Sequence, residues 1–241
     1  MHPFTLRVIV QVTVFLKFFP NPFKRWSPIR SLTPFQLYMA SGGDEYYWDQ
    51  VQESPEAGIA IVFGGFRGLS SIQFAEKGYK VITFEPMPAF AQEIRNRAER
   101  KNLNIEVVDA AVSDSDGLLS LQEDGERTGR ADADSAQGKV VVVKKVDVAE
   151  WVKDLGREID ILEINIEGSE YDVLKRLLQS QEIQKIRRLN IQFHEIFAHS
   201  RDLTQDIRKA LLKTHNLLWS FDWIWEAWEI KPELVISGHR K

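Results

Sequence analysis

Between Ile59 and Pro86 the chain carries residues whose types and spacing suit the binding of a nucleotide-like cofactor. An apolar run stops at Gly64, Gly65 and Gly68, with Arg67 among them, and the next apolar run closes 21 residues after Gly64 (85 − 64) in Glu85 and Pro86. Glycines at a strand-to-helix turn let a ligand lie against bare backbone and a helix N-terminus. A carboxylate at the end of the second strand can accept both hydroxyls of an adenosine ribose. Asp109 and Ala110, just past a third apolar run, would add an acceptor for an adenine amino group and room for its ring. Two later runs end near Asn165, Glu167 and His194. Glu167 and His194 are side chains able to take a proton, whereas Asn165 accepts hydrogen bonds but cannot serve as a base.

Each of these residues also has a plainer account. The three glycines can serve only to pack a helix tightly on a strand. Asp109 can be an ordinary turn residue. Glu167 can be a first-turn carboxylate favoured by a helix dipole, and His194 a structural residue at a strand end. Only one firm carboxylate is in view at the later position, so no metal is assigned.

Alternating patterns supply the elements that must hold these groups. A helix over 34–51 precedes strand 58–63, helix 68–77, strand 80–84, helix 89–101 and strand 105–108. A short strand at 118–121, a polar stretch over 123–138 and the valine run 140–143 follow. A helix through Trp151, strand 159–166, helix 169–178, strand 186–193 and helix 203–214 come next. Such alternation implies a mostly parallel sheet with helices on both faces. The last two apolar runs, 217–221 and 224–230, are separated by so few residues that they must pair antiparallel. Four of the seven tryptophans (Trp219, Trp223, Trp225 and Trp228) fall in this segment. They either line a substrate pocket or pack the hairpin onto the sheet, each burying a large area.

The ordered segments FGGFRG, KVITFEP, VVDAAVSDSDG, VDVAEWV, IDILEINIEGSEYDVLK and IQFHE resemble those of the FkbM family of methyltransferases. The resemblance runs from about Asp44 to the C-terminus and is most specific over 159–175. It implies a Rossmann-like class I methyltransferase fold, an α/β architecture with a C-terminal antiparallel hairpin. It also implies S-adenosylmethionine as cofactor, held by Gly64, Gly65, Arg67, Gly68, Glu85, Asp109 and Ala110, with Glu167, His194 and Asn165 as catalytic candidates. The implied reaction is O-methylation of a hydroxyl on a sugar, glycolipid or secondary metabolite, a small-molecule or glycan-like acceptor.

Two departures from the family pattern raise the alternative of a non-catalytic binding or scaffold protein. The acid usual two residues before the first glycine is Val62, and the usual lysine and aspartate of the later strand are Glu163 and Asn165. Arg67 would then grip the cofactor carboxylate in place of that acid. A nicotinamide oxidoreductase ranks lower, because G-x-G-x-x-G would require glycine where Phe66 and Leu69 stand.

The 241 residues, 44% hydrophobic and 27% charged, suffice for one sizeable core plus an appendage. A formal net charge of −4 argues against a nucleic-acid partner, and the lack of cysteine excludes disulfides and thiolate chemistry. We divide the chain into an arm, residues 1–33, and a methyltransferase-like domain, residues 34–241. Within the arm, residues 4–30 are apolar and then basic and aromatic, which suits either a peripheral anchor on anionic lipid or a packing arm. A cytoplasmic location, at the membrane surface in the first case, is the expectation.

Overall fold

The computed structural model describes residues 33–124, 127–130 and 139–235. The readings made on residues 4–30, and on most of the polar stretch after Glu123, lie outside them. Among the described residues no helix is long and apolar enough to cross a membrane.

Strand β1 (Ile59–Phe63) is buried at every position, so its Ile, Val and Phe side chains each contribute on the order of 1.5–3 kcal/mol by leaving water. It lies in the interior of a seven-stranded sheet, next to the central strand β8 (Ile159–Ile164), and pairs in parallel with β8 and with β2 (Lys80–Phe84). β3 (Ile105–Val108) extends one edge in parallel and β9 (Ile186–Ile191) continues the other. The terminal pair β10 (His215–Phe221) and β11 (Trp225–Ile230) is antiparallel, with β11 inserted between β10 and β9. The order β10-β11-β9-β8-β1-β2-β3 is thus the α/β sheet with a terminal hairpin that the sequence implies, and it carries the Rossmann-like methyltransferase fold.

Helices cover both faces. On one side α1 (Pro34–Ser41), α2 (Asp44–Asp49) and α3 (Leu69–Glu76) bury Leu37, Tyr47 and Phe74 against Val62, Val81 and Ile161. On the other, α5 (Val148–Leu155), α6 (Glu170–Ser180) and α7 (Ser200–Leu211) bury Val152, Leu174 and Ile207 against Ile61, Phe84 and Leu189. α4 (Pro88–Lys101) follows β2 and places Ile94 in the core. A single helix over 34–51 is not found: Gly42 and Gly43 both take positive φ, and the chain turns there between α1 and α2.

A second sheet was not foreseen. β4 (Ala111–Ser113), β5 (Gly117–Asp124), β6 (Arg127–Arg130) and β7 (Lys139–Asp147) form it in the order β4-β7-β5-β6. The valine run is the start of β7, held between β4 and β5. Its alternation leaves Val140 and Val142 exposed and turns Val143 inward beside Leu121. The tryptophans pack the hairpin. Trp219 and Phe221 meet Tyr46 edge-on at 5.6 and 5.8 Å, and Trp228 is 1% exposed with its indole donating to Glu226 at 2.9 Å.

Candidate functional site

The carboxyl ends of the parallel strands face one rim of the sheet, and the residues that follow them enclose a groove of about 240 Å³. Gly64, Phe66, Glu85, Ala110, Asn165 and Glu167 line it, with Leu119 and Leu121 of the smaller sheet as an apolar wall. Ligands of open α/β sheets bind at this rim.

Of the three glycines after β1, only Gly64 borders the groove. It sits at φ 86°, and a Cβ there would lie 2.0 Å from the Asn165 carbonyl oxygen, so β1 and the β8 exit approach each other only because the side chain is missing. Gly65 and Gly68 answer a packing need: a Cβ on either would reach within 2.9 Å of Ile94. The amides of Gly64 and Gly65 both donate to the Phe84 carbonyl, at 3.1 and 3.0 Å. This corrects the expectation of bare amides offered to a ligand, since the turn spends them on β2.

Glu85 is 5% exposed and lines the groove. Its Oε2 accepts the Phe66 amide at 2.7 Å and its Oε1 the Met87 amide at 2.8 Å. Each carboxylate oxygen accepts more than one hydrogen bond, so capacity for two ribose hydroxyls remains. Burial pushes the Glu85 pKa up to about 7, against the two amide donors, which favour the charged form.

Two predicted contacts are not made by the groove. The Asp109 carboxylate is held by Arg95, both oxygens at 2.8 Å, and stands outside the lining, although its neighbour Ala110 is within it. Arg67 also lies outside the lining; its guanidinium rests 5.5 Å from the centroid of the Phe66 ring. Phe66 takes the place in the groove that the sequence reading gave to Arg67. It adopts φ 45° and packs on Phe90 at 4.6 Å.

The exit of β8 is built differently. Asn165 lines the groove, and its Oδ1 is buried without a hydrogen-bond partner among the described residues. Glu167 occupies the left-handed region at φ 50°, a conformation that costs a side-chain-bearing residue about 1–2 kcal/mol. Its side chain is half exposed and ends 3.6 Å from His194 Nε2. Behind His194 stands Glu170, fully buried, with Oε1 3.1 Å from His194 Nδ1. Burial alone would lower the His194 pKa; Glu170 and Glu167 outweigh it and hold it above the ordinary value. Asn165 and Glu167 therefore line the groove, His194 stands behind Glu167 outside the lining, and Glu170 is the member that sequence reading passed over. Its signal was the E-G-S-E spacing, which puts Glu170 at the first position of α6. Among the described residues no three carboxylate or imidazole groups form a cluster able to hold a metal ion.

The departures at Val62 and Glu163 fall away from the groove. Val62 is in the core beneath α2 and pairs in register with Glu163. Glu163 is buried under Tyr47, whose hydroxyl donates to it while accepting from Asn190 Nδ2 at 2.9 Å. Burial raises the Glu163 pKa.

A family model described as the methyltransferase FkbM domain matches residues 64–217, which span the glycine turn, Glu85 and the β8 exit and reach the start of the first hairpin strand. The chain belongs to the FkbM methyltransferase family. Solved structures similar to this FkbM chain include a Streptococcus mutans protein described as a methyltransferase, in complex with SAH (14% identity, TM-score 0.47, 78% of this chain and 96% of that one). An rRNA methylase from Streptococcus thermophilus aligns at 10% identity and TM-score 0.47 over 83% of this chain and 98% of that one. A Clostridium thermocellum protein described as an rRNA methylase aligns at 8% identity and TM-score 0.49 over 77% and 92%. No curated protein matches the chain.

Proposed function

We propose that this FkbM chain is an S-adenosylmethionine-dependent O-methyltransferase acting on a hydroxyl of a small-molecule or glycan-like acceptor. The observation that carries the reading is the groove at the strand rim, where Glu85, Ala110 and the unpartnered Asn165 Oδ1 converge and Glu167 stands at one end. The residues present fit the cofactor: Glu85 keeps acceptor capacity for a ribose, Ala110 leaves room for a ring, and Asn165 Oδ1 is an acceptor in need of a donor. The bound cofactor would supply a methyl group on a sulfonium, already activated toward an oxygen nucleophile. The protein's share is then to orient the acceptor hydroxyl and receive its proton, a role for Glu167 with His194 behind it. The family resemblance supports a sugar, glycolipid or secondary metabolite as acceptor.

Calorimetry with S-adenosylhomocysteine tests the reading. We expect binding by the wild-type chain, weakened about 10- to 100-fold by Glu85→Ala through loss of charge-assisted hydrogen bonds. Binding of neither cofactor form would instead support a non-catalytic protein of this fold, the reading motivated by Val62 in place of an acid.

A further inference from the structure

We infer that Glu170 is the positioning residue of the proton acceptor: it fixes the His194 ring with its proton on Nδ1 and leaves the Nε2 lone pair facing Glu167, which lines the groove. The inference deepens the transferase reading and rests on it.

The Glu170 carboxylate is fully buried, and among the described residues it is met by two backbone amides and by the His194 ring. Oε2 accepts the Gly168 amide at 2.7 Å, and Oε1 accepts the His194 amide at 2.7 Å and faces the His194 ring Nδ1 at 3.1 Å. A carboxylate that already accepts two short amide bonds is an acceptor toward the ring as well, so Nδ1 must carry the hydrogen. A ring whose one nitrogen donates to a fixed carboxylate has its tautomer and its orientation set together. The same Glu170 oxygen meets both the ring and the backbone amide of His194, so the imidazole cannot turn without giving up its contact with Oε1.

Other titratable groups on the neighbouring elements have partners of their own. On α6, the Tyr171 hydroxyl donates to the His194 carbonyl at 2.6 Å. In the loop after β9, Glu195 is paired with Arg201 of α7 at 2.6 Å, and at the hairpin turn Asp222 is paired with Arg208 of α7 at 3.0 Å. Glu167 and Glu170 remain as the two carboxylates that act on the ring, one on each nitrogen. Glu167 is half exposed, so rotation of its side chain can shorten the 3.6 Å gap to Nε2.

During transfer the acceptor oxygen forms its bond to the methyl carbon, and the electron pair of the broken S–CH3 bond stays on sulfur. The hydroxyl proton passes by way of Glu167 to Nε2. The product imidazolium lies between two carboxylates, which favour its charge.

Nitrogen-15 NMR of the histidine rings in the full chain reads the tautomer directly. At a pH above its titration we expect His194 with hydrogen on Nδ1, and in Glu170→Gln a proton affinity about tenfold lower, as befits loss of a neighbouring opposite charge. A wild-type ring with hydrogen on Nε2 overturns the role of Glu170. So does a Glu170→Gln ring whose proton affinity is unchanged while only the unfolding midpoint falls. The wild-type tautomer decides the matter alone should the variant not fold. Calorimetry of the same wild-type sample separates the two levels: S-adenosylhomocysteine binding with the wrong tautomer removes Glu170 alone, whereas no binding removes the transferase reading and the relay with it.

Discussion

Two strand-to-helix crossings border the groove, and they spend their backbone and side chains in opposite ways. The β1–α3 crossing is rich in glycine, yet its amides serve the Phe84 carbonyl and two of its glycines exist to admit Ile94. The β8–α6 crossing keeps its polar side chains, leaves Asn165 Oδ1 without a partner among the described residues and holds Glu167 in a left-handed conformation. Each crossing holds one side-chain-bearing residue at positive φ, Phe66 in the first and Glu167 in the second, but the first is a wall fixed by close packing and the second carries the groups able to do chemistry. The glycine motif, the more familiar signal, therefore says where the cofactor can fit rather than what reacts with it.

The largest test of this contrast is Gly64→Ala. Its Cβ would press on the Asn165 carbonyl from a residue at positive φ, and we expect a loss of about 3–5 kcal/mol in urea unfolding. A loss below about 1 kcal/mol would show that the two crossings are not in rigid contact.

Next comes the pH dependence that Glu85 imposes. Its folded pKa, about 7, lies above the ordinary 4.5, so the folded chain binds this proton more tightly than the unfolded one. The resulting stability is fully present below the unfolded value and is lost as pH rises through about 7, by about 3 kcal/mol at most. Glu85→Gln should remove that part of the slope in urea titrations across this range, and an unaltered slope would place its origin elsewhere. Cofactor affinity is expected to move the other way, strengthening as Glu85 ionises and accepts the ribose hydroxyls.

The smallest expected effect is a gain. Glu167→Gly removes a side chain from the left-handed region and should raise stability by about 0.5–1 kcal/mol in thermal unfolding, after allowance for glycine's greater freedom in the unfolded chain. A fall in stability would mean that the Glu167 backbone stores no strain.

Much of the architecture was legible in the sequence because its signals are local. Four-to-six-residue apolar runs alternate with helical stretches, and the short joint at Asp222 forces the hairpin. The smaller sheet was not legible: β7 pairs with β5 across a stretch of chain whose sequence gives no register, and the valine run alone cannot choose its partners. The break between α1 and α2 was legible as Gly42 and Gly43, a glycine pair that marks a turn, and a reading of one helix over 34–51 overlooked it.

The site divides in the same manner. Glu85, Ala110, Asn165, Glu167 and Gly64 reached the groove because position at a strand end places a residue on the rim in this class of sheet. Asp109 and Arg67 missed it through competition that spacing cannot reveal. Arg95, 14 residues before Asp109, claims its carboxylate, and the Phe66 ring lies under the Arg67 guanidinium. Glu170 went unnoticed for a related reason: its ring partner His194 is 24 residues away in the chain.

By itself the amino-acid order determined the α/β class, the parallel strands with their terminal hairpin, and the rim on which the polar residues would collect, since these follow from periodicity and from the reach of short connections. The tertiary structure decided which polar groups remain available. Every buried donor and acceptor seeks a partner, and only the packed chain shows that the Gly64 and Gly65 amides and Asp109 have found theirs while Asn165 Oδ1 has none among the described residues.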